Sequence, residues 1–175
     1  MSEYENQKTA KPRVEDVILD LVKEKHRQAA LDFIGYIRSN KMTPAWASTN
    51  SWKCSYKGKG VVYVKINCDG DWWLQLFSQY DMYLNELVSD ETVEIRAYVK
   101  EHIGNYDPCG GCMPGVSRKS VNKEFKNLCA CNSIQMSNPD GNLCEFAKKL
   151  IALRRDAILN NRVPKCNYIK PADRT

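Results

Sequence analysis

The stretch from Ser51 to Ser78 constrains the fold most. In SWKCSYKGKGVVYVKINCDGDWWLQLFS, runs rich in aromatic and β-branched residues are broken at KGKG and again at Asp69-Gly70. Trp52, Cys54 and Tyr56 alternate with Lys53, Ser55 and Lys57, the period of a strand with one face in a core. The run GVVYVKIN is dominated by residues that suit a pleated surface. Asp-Gly between two such runs is a hairpin signal. The pattern predicts a three-stranded antiparallel meander, with strands at 51–57, 60–67 and 71–78. Such a sheet needs a second layer over its apolar face, and the flanking sequence must supply it.

That cover reads as helical. Val14, Val17, Ile18, Leu21 and Val22 recur at helical spacing, and Ala29, Ala30, Phe33, Ile34 and Ile37 form a second phase. The polar KEKHRQ between them is read as a turn joining two helices, and Pro44 in SNKMTP stops the second. Helical spacing returns in Met82–Leu87 and over 90–103, where Ile95, Tyr98, Val99 and His102 make a stripe. The segment 105–124 carries Pro108, Gly110, Gly111, Pro114 and Gly115 and reads as a loop. EFKNLCACNSIQM is expected as a further strand. A long last helix is expected over 140–159, with Leu143, Phe146, Ala147, Leu150, Leu153, Ala157 and Ile158 inward. The expected class is α+β: N-terminal helices, the meander plus one strand, helices packed on one face, and a long C-terminal helix.

Nothing in the sequence calls for a membrane. The longest aliphatic run, Val61–Val64 with Tyr63 inside it, is far too short to span a bilayer. The opening MSEYENQKTAKPR is polar and lacks the apolar core of a secretory signal. With 43% apolar and 27% charged residues the chain has the composition of a globular protein, and a cytoplasmic location is expected. Its 175 residues suffice for one domain with a substantial core. We read 1–12 as a disordered lead-in, 13–160 as that domain and 161–175 as a basic tail.

The expected compartment decides the chemistry of the eight cysteines, at 54, 68, 109, 112, 129, 131, 144 and 166. Under reducing conditions they serve as thiols, metal ligands or catalytic groups rather than bridges. Cys109 and Cys112 lie in CGGCMPG, where two glycines permit the close turn that aims both sulfurs at one point. Zinc takes four such ligands, commonly as two chelating pairs. Cys129 and Cys131 would share a face if 125–136 is a strand, so these four are the candidate site for a structural zinc. The Cys-x-Cys half departs from the usual repeated Cys-x-x-Cys, and His102 is an alternative fourth ligand. The enzymatic alternative is a thiol or redox protein using Cys109 and Cys112. It lacks the strand before and helix after that depress a thiol pKa in such motifs. A third reading leaves the pair as a loop-shaping turn.

A second candidate region is the aromatic set of the meander: Trp52, Tyr56, Tyr63, Trp72 and Trp73. Adjacent Trp72 and Trp73 must point to opposite faces, so part of this set is available to line a ligand pocket. KGKGVVYV has Lys59 and Val61 where an RNA-binding strand motif carries aromatics, and it reads as a basic hairpin turn entering a core strand. A net charge of +5 is mild for this length, so nucleic acid is not the expected partner. The alternative through which it would bind is the basic C-terminal region, with Lys148, Lys149, Arg154, Arg155, Arg162 and Lys165. Phosphate loops, a serine-nucleophile elbow and a histidine-based triad find no support in the sequence.

The strings SWKCSYKGKGVVYVKI, CGGCMPG, EFKNLC and FAKKLIALRR together resemble a group of small uncharacterised cytosolic proteins of Gram-positive anaerobic bacteria. The likeness covers roughly 45–158 and brings no activity with it; it implies Cys109, Cys112 and Cys129 as the characteristic thiols. More distantly, the helix–meander–helix order is similar to frataxin-like bacterial domains, but Glu15, Asp16 and Asp20 are offset by Lys23, Lys25 and Arg27. The expected function is therefore a non-enzymatic module that binds a small molecule or a protein, with zinc as the candidate cofactor.

Overall fold

The structure is a computed structural model and describes residues 3–76, 92–103, 116–120, 123–128 and 134–162. Three helices lead in: α1 (Glu3–Ala10), α2 (Val14–Leu21) and α3 (Glu24–Ser39). Strands β1 (Thr43–Ser48), β2 (Ser51–Tyr56), β3 (Lys59–Ile66) and β4 (Trp72–Leu76) follow. Then come α4 (Val93–Ile103), the hairpin β5 (Val116–Ser120) and β6 (Lys123–Leu128), β7 (Ile134–Ser137) and α5 (Gly141–Leu159). The class is α+β, as the alternation and helical spacing predict.

The main sheet has five antiparallel strands in the order β1-β2-β3-β4-β7, and β5-β6 form a separate two-stranded sheet. The expected three-strand meander is thus its centre. The additions are β1, an edge strand whose Pro44 stands where a missing N–H is tolerated, and β7, which pairs with β4 across a long connection. The single strand expected over EFKNLCACNSIQM is two strands in different sheets. The loop expected over 105–124 contains β5 and the start of β6; VSRKS is too polar for an apolar stripe to announce it.

Turn chemistry fixes the register. Lys57 and Gly58 both have positive φ, as a two-residue hairpin with the right twist requires. At the next turn Gly70 has φ +84°, and its carbonyl accepts from the Lys23 amide at 3.0 Å. A Cβ there would lie 2.8 Å from the Leu21 carbonyl, so this glycine lets the β3–β4 turn dock on the α2–α3 junction. The two expected helices do divide here, but the turn expected over KEKHRQ shrinks to Val22-Lys23, and residues 24–28 form the start of α3.

One apolar layer unites the elements. Trp52, Cys54, Val62, Val64, Ile66, Trp72, Leu74, Leu76, Ile134 and Met136 form the inward side of the sheet. Val17 and Ile18 of α2, Phe33, Ile34 and Ile37 of α3, Ile95 of α4, and Phe146, Ala147, Leu150 and Ile151 of α5 are among the residues that pack against it. Phe33 meets Trp72 with ring centroids 5.9 Å apart and planes tilted by 59°, a favourable aromatic geometry.

The segment expected as a disordered lead-in is helical over α1 and bonded to the sheet. Gln7 Oε1 accepts from the Asn50 amide (2.8 Å) and from Trp46 Nε1 (3.3 Å), and Gln7 Nε2 donates to Asn50 Oδ1. Asn50 is buried in the β1–β2 turn with positive φ, so Gln7 satisfies polar groups that the turn would otherwise strand. Trp52 Nε1 donates to the Pro12 carbonyl at 2.9 Å. A polar sequence hid this order because side-chain hydrogen bonds, not an apolar stripe, hold it.

Candidate functional site

The second side of the sheet has the opposite character. Register places Lys53 opposite Tyr63, Tyr63 opposite Gln75, and Gln75 opposite Gln135, one rung across β2, β3, β4 and β7. The next rung runs Ser51, Lys65, Trp73, Ser137. These residues alternate with the core residues along every strand, so they project from the side away from the apolar cluster. Lys53, Tyr63, Lys65, Trp73 and Gln75 are half-buried, and Gln135 and Ser137 are exposed. Tyr63 and Trp73 are diagonal neighbours, about 7 Å apart by the geometry of antiparallel pairs.

Charge on the sheet is one-signed. The strands TPAWAS, SWKCSY, KGVVYVKI, WWLQL and IQMS contain lysines and no Asp or Glu. The nearest carboxylate in sequence to Trp73, Asp71, is paired with Lys23 Nζ at 2.7 Å. That hydrogen bond, with one from Asn138, holds its carboxyl below the ordinary range. Trp73 Nε1 is tucked out of solvent with no acceptor among the described residues.

The five aromatics singled out in the sequence therefore divide. Trp52 and Trp72 are core residues, 1% and 0% exposed. Tyr56 lies at the core edge beneath Arg155, whose guanidinium carbon is 5.0 Å from the ring centroid. Tyr63 and Trp73 alone share the second face. Sequence reading passed over Lys53, Lys65, Gln75 and Gln135 as partners of these rings; their signal was the strict alternation of YVK in β3 and WWLQL in β4.

A second polar cluster joins α3 to α5. Tyr36 donates its hydroxyl to the Lys148 carbonyl at 3.0 Å, and Lys148 Nζ lies 5.6 Å from that ring's centroid. Burial pushes the Tyr36 phenol up, against the pull of Arg155 and Lys148. Arg155 also donates to Asn40 Oδ1. These contacts tie α3 and its C-terminal end to α5 and read as structural.

Cys109, Cys112, Cys129 and Cys131 lie outside the described residues, as does the side chain of His102. Among the described residues no group of three or more His, Cys, Asp or Glu comes together. Cys54 and Cys144 are buried and Cys68 is exposed. Burial pushes the Cys54 thiol up to about 12, Arg38 opposing, and the Cys144 thiol up to about 11, Lys148 opposing. Both stay protonated at neutral pH and are poor nucleophiles. No helix among the described residues is long and apolar enough to cross a membrane. Comparison with protein-family models, curated proteins and solved structures gives no match, so the site's own chemistry is the basis for function.

Proposed function

We propose that this protein is a non-enzymatic binding module whose ligand surface is the polar and aromatic face of the main sheet. The observation that carries the reading is the placement of Tyr63 and Trp73 at diagonal positions among Lys53, Lys65, Gln75 and Gln135. The apolar cluster on the other side already anchors the sheet to α2, α3 and α5. Rings on a surface of serine, glutamine and lysine supply what binding sites use: apolar contact area with a few polar groups that fix orientation. Rigid strands, rather than loops, hold those side chains in place. The buried thiols of Cys54 and Cys144 are poorly suited to covalent chemistry. A structural zinc at Cys109, Cys112, Cys129 and Cys131, with His102 as alternative fourth ligand, belongs to the proposal on residue type and spacing.

The test is a fragment screen read by amide chemical shifts of isotope-labelled protein. Hits should shift Lys53, Tyr63, Lys65, Trp73 and Gln75 together, and a Tyr63→Ser/Trp73→Ser double variant should lose them while keeping its fold. Hits that map to the α3–α5 contact, or that survive the double variant, defeat the reading.

A further inference from the structure

One end of the fold gathers charge of a single sign. Lys41, in the turn from α3 into β1, is exposed, as are Lys57 and Lys59 on either side of Gly58 in the β2–β3 hairpin. Lys41 stands two residues before Thr43 and Lys57 two residues after Ser55, and Thr43 pairs with Ser55 across β1 and β2. Lys59 faces Tyr56 on the next pair of strands. Arg155 of α5 ties this end together, donating to Asn40 beside Lys41 and covering the ring of Tyr56 beside Lys57. Those contacts occupy its guanidinium, which therefore adds positive potential rather than a free donor. The three lysines make no ion pair among the described residues. Strands β1, β2 and β3 contain no Asp or Glu, and Asp156, the acid in the last turns of α5, is paired with Arg162.

We propose that this end of the fold docks peripherally on an anionic lipid surface, with Lys41, Lys57 and Lys59 against the headgroups and Leu159 entering the acyl boundary. The surface is separate from the sheet face described above and stands or falls without it. Three observations favour lipid. The lysines sit on turns, and a Cβ added at Gly58 would meet nothing within 4 Å, so the hairpin tip stands clear of its neighbours and suits a flat partner. Leu159 ends α5 one turn beyond Arg155 on the same helical side, and it is 48% exposed, an apolar group beside the charges. The ring at this end, Tyr56, is 9% exposed beneath Arg155, so it offers no platform for an unpaired base. Basic side chains near an anionic leaflet and an apolar side chain at its boundary are each weak anchors alone and act together. No helix among the described residues is long and apolar enough to cross a membrane, and this contact needs none.

Vesicle flotation at low salt tests the assignment, with phosphatidylcholine vesicles that contain or lack phosphatidylserine. The full chain should float with the anionic vesicles, stay behind with the neutral ones, and be released as salt rises. Lys41→Gln, Lys57→Gln and Lys59→Gln should each lower the partition coefficient about fivefold. Leu159→Ser should lower it by a similar factor, about fivefold, while leaving the salt dependence unchanged. Lys25→Gln is the control: it removes the same charge from an exposed residue in the first turn of α3, the opposite end of that helix, and should bind as wild type does. All five positions are exposed, and far-UV circular dichroism checks that each variant keeps its fold. No flotation of wild type with anionic vesicles overturns the proposal. A loss with Lys25→Gln equal to that of the three lysine variants also overturns it, since net charge rather than this end would then be responsible. Oligonucleotide and polyglutamate are run in parallel by fluorescence anisotropy. Binding to either that depends on the three lysines but ignores Leu159→Ser, without vesicle binding, assigns the patch to a soluble polyanion instead.

Discussion

Adjacent Trp72 and Trp73 offer a sharp test of the two-sided sheet, because they share a strand and differ in the side they face. Trp72 is 0% exposed and packs on Phe33. Removing its side chain returns about 200 Å² to water, worth about 5 kcal/mol at roughly 25 cal/mol per Å². Against this, its Nε1 is buried with no acceptor among the described residues. Losing that group relieves about 1–2 kcal/mol of desolvation. Trp72→Ala should therefore cost about 3–4 kcal/mol, within the range for large aromatic truncations. Trp72→Phe removes the unsatisfied N–H yet keeps a ring against Phe33, so it should cost less than about 1.5 kcal/mol. Trp73 is only half-buried and carries the same relief at Nε1. Trp73→Ala should then cost about 1 kcal/mol. Urea denaturation followed by far-UV circular dichroism measures all three without relying on the altered indole fluorescence. If Trp73→Ala proves as costly as Trp72→Ala, the second face is a second core and the ligand-face reading fails. If Trp72→Ala costs less than Trp73→Ala, the assignment of faces is reversed.

Other consequences follow from single residues. Gly70→Ala should destabilise by about 2 kcal/mol or more, since positive φ and the Leu21 carbonyl both oppose a Cβ. Gly58→Ala, with open space at its turn, should cost only about 1 kcal/mol, and equal losses in thermal melts would refute the docking argument. The raised Cys54 pKa sets a pH dependence: between pH 9, where the unfolded thiol ionises, and about 12, only the unfolded state sheds the proton. Stability is then fully present below pH 9 and falls as pH rises, by about 1.4 kcal/mol per pH unit for this group. Cys54→Ala should lower stability at pH 8 but flatten that alkaline slope, and an unchanged slope would sink the assignment. Protein purified without chelators should carry about one zinc per chain if Cys109, Cys112, Cys129 and Cys131 form the expected site; stoichiometric absence by elemental analysis, with every thiol titratable, removes it.

What the sequence made legible follows the range of the interactions. Helices α2, α3 and α5 and the central strands announce themselves because each buries a stripe whose period is local. Gly58 and Gly70 mark their turns for the same reason. β1 was hidden because Pro44 signals a helix end as strongly as it permits an edge strand. β7 was blurred into its neighbour because only Ile134 and Met136 face the core, and its pairing with β4 is set by contacts far along the chain. α1 depends on Gln7 meeting Asn50 and Trp46, and no periodicity records that meeting.

The candidate site shows the same divide more sharply. Choosing residues for their rings gathers Trp52, Tyr56 and Trp72, whose work is packing, with Tyr63 and Trp73, which face the other way. A binding face is defined by register rather than by residue type. A slip of one residue in the β2–β3 or β3–β4 pairing would turn Lys53, Tyr63, Lys65 and Trp73 into the core and expose Val62, Val64 and Leu74. The apolar cost of that slip is what holds Lys53 against Tyr63 and Lys65 against Trp73. The core on one side of the sheet thus determines the spacing of rings and charges on the other, so substitutions that loosen β3 packing, such as Val64→Ala, should weaken ligand binding without touching the ligand.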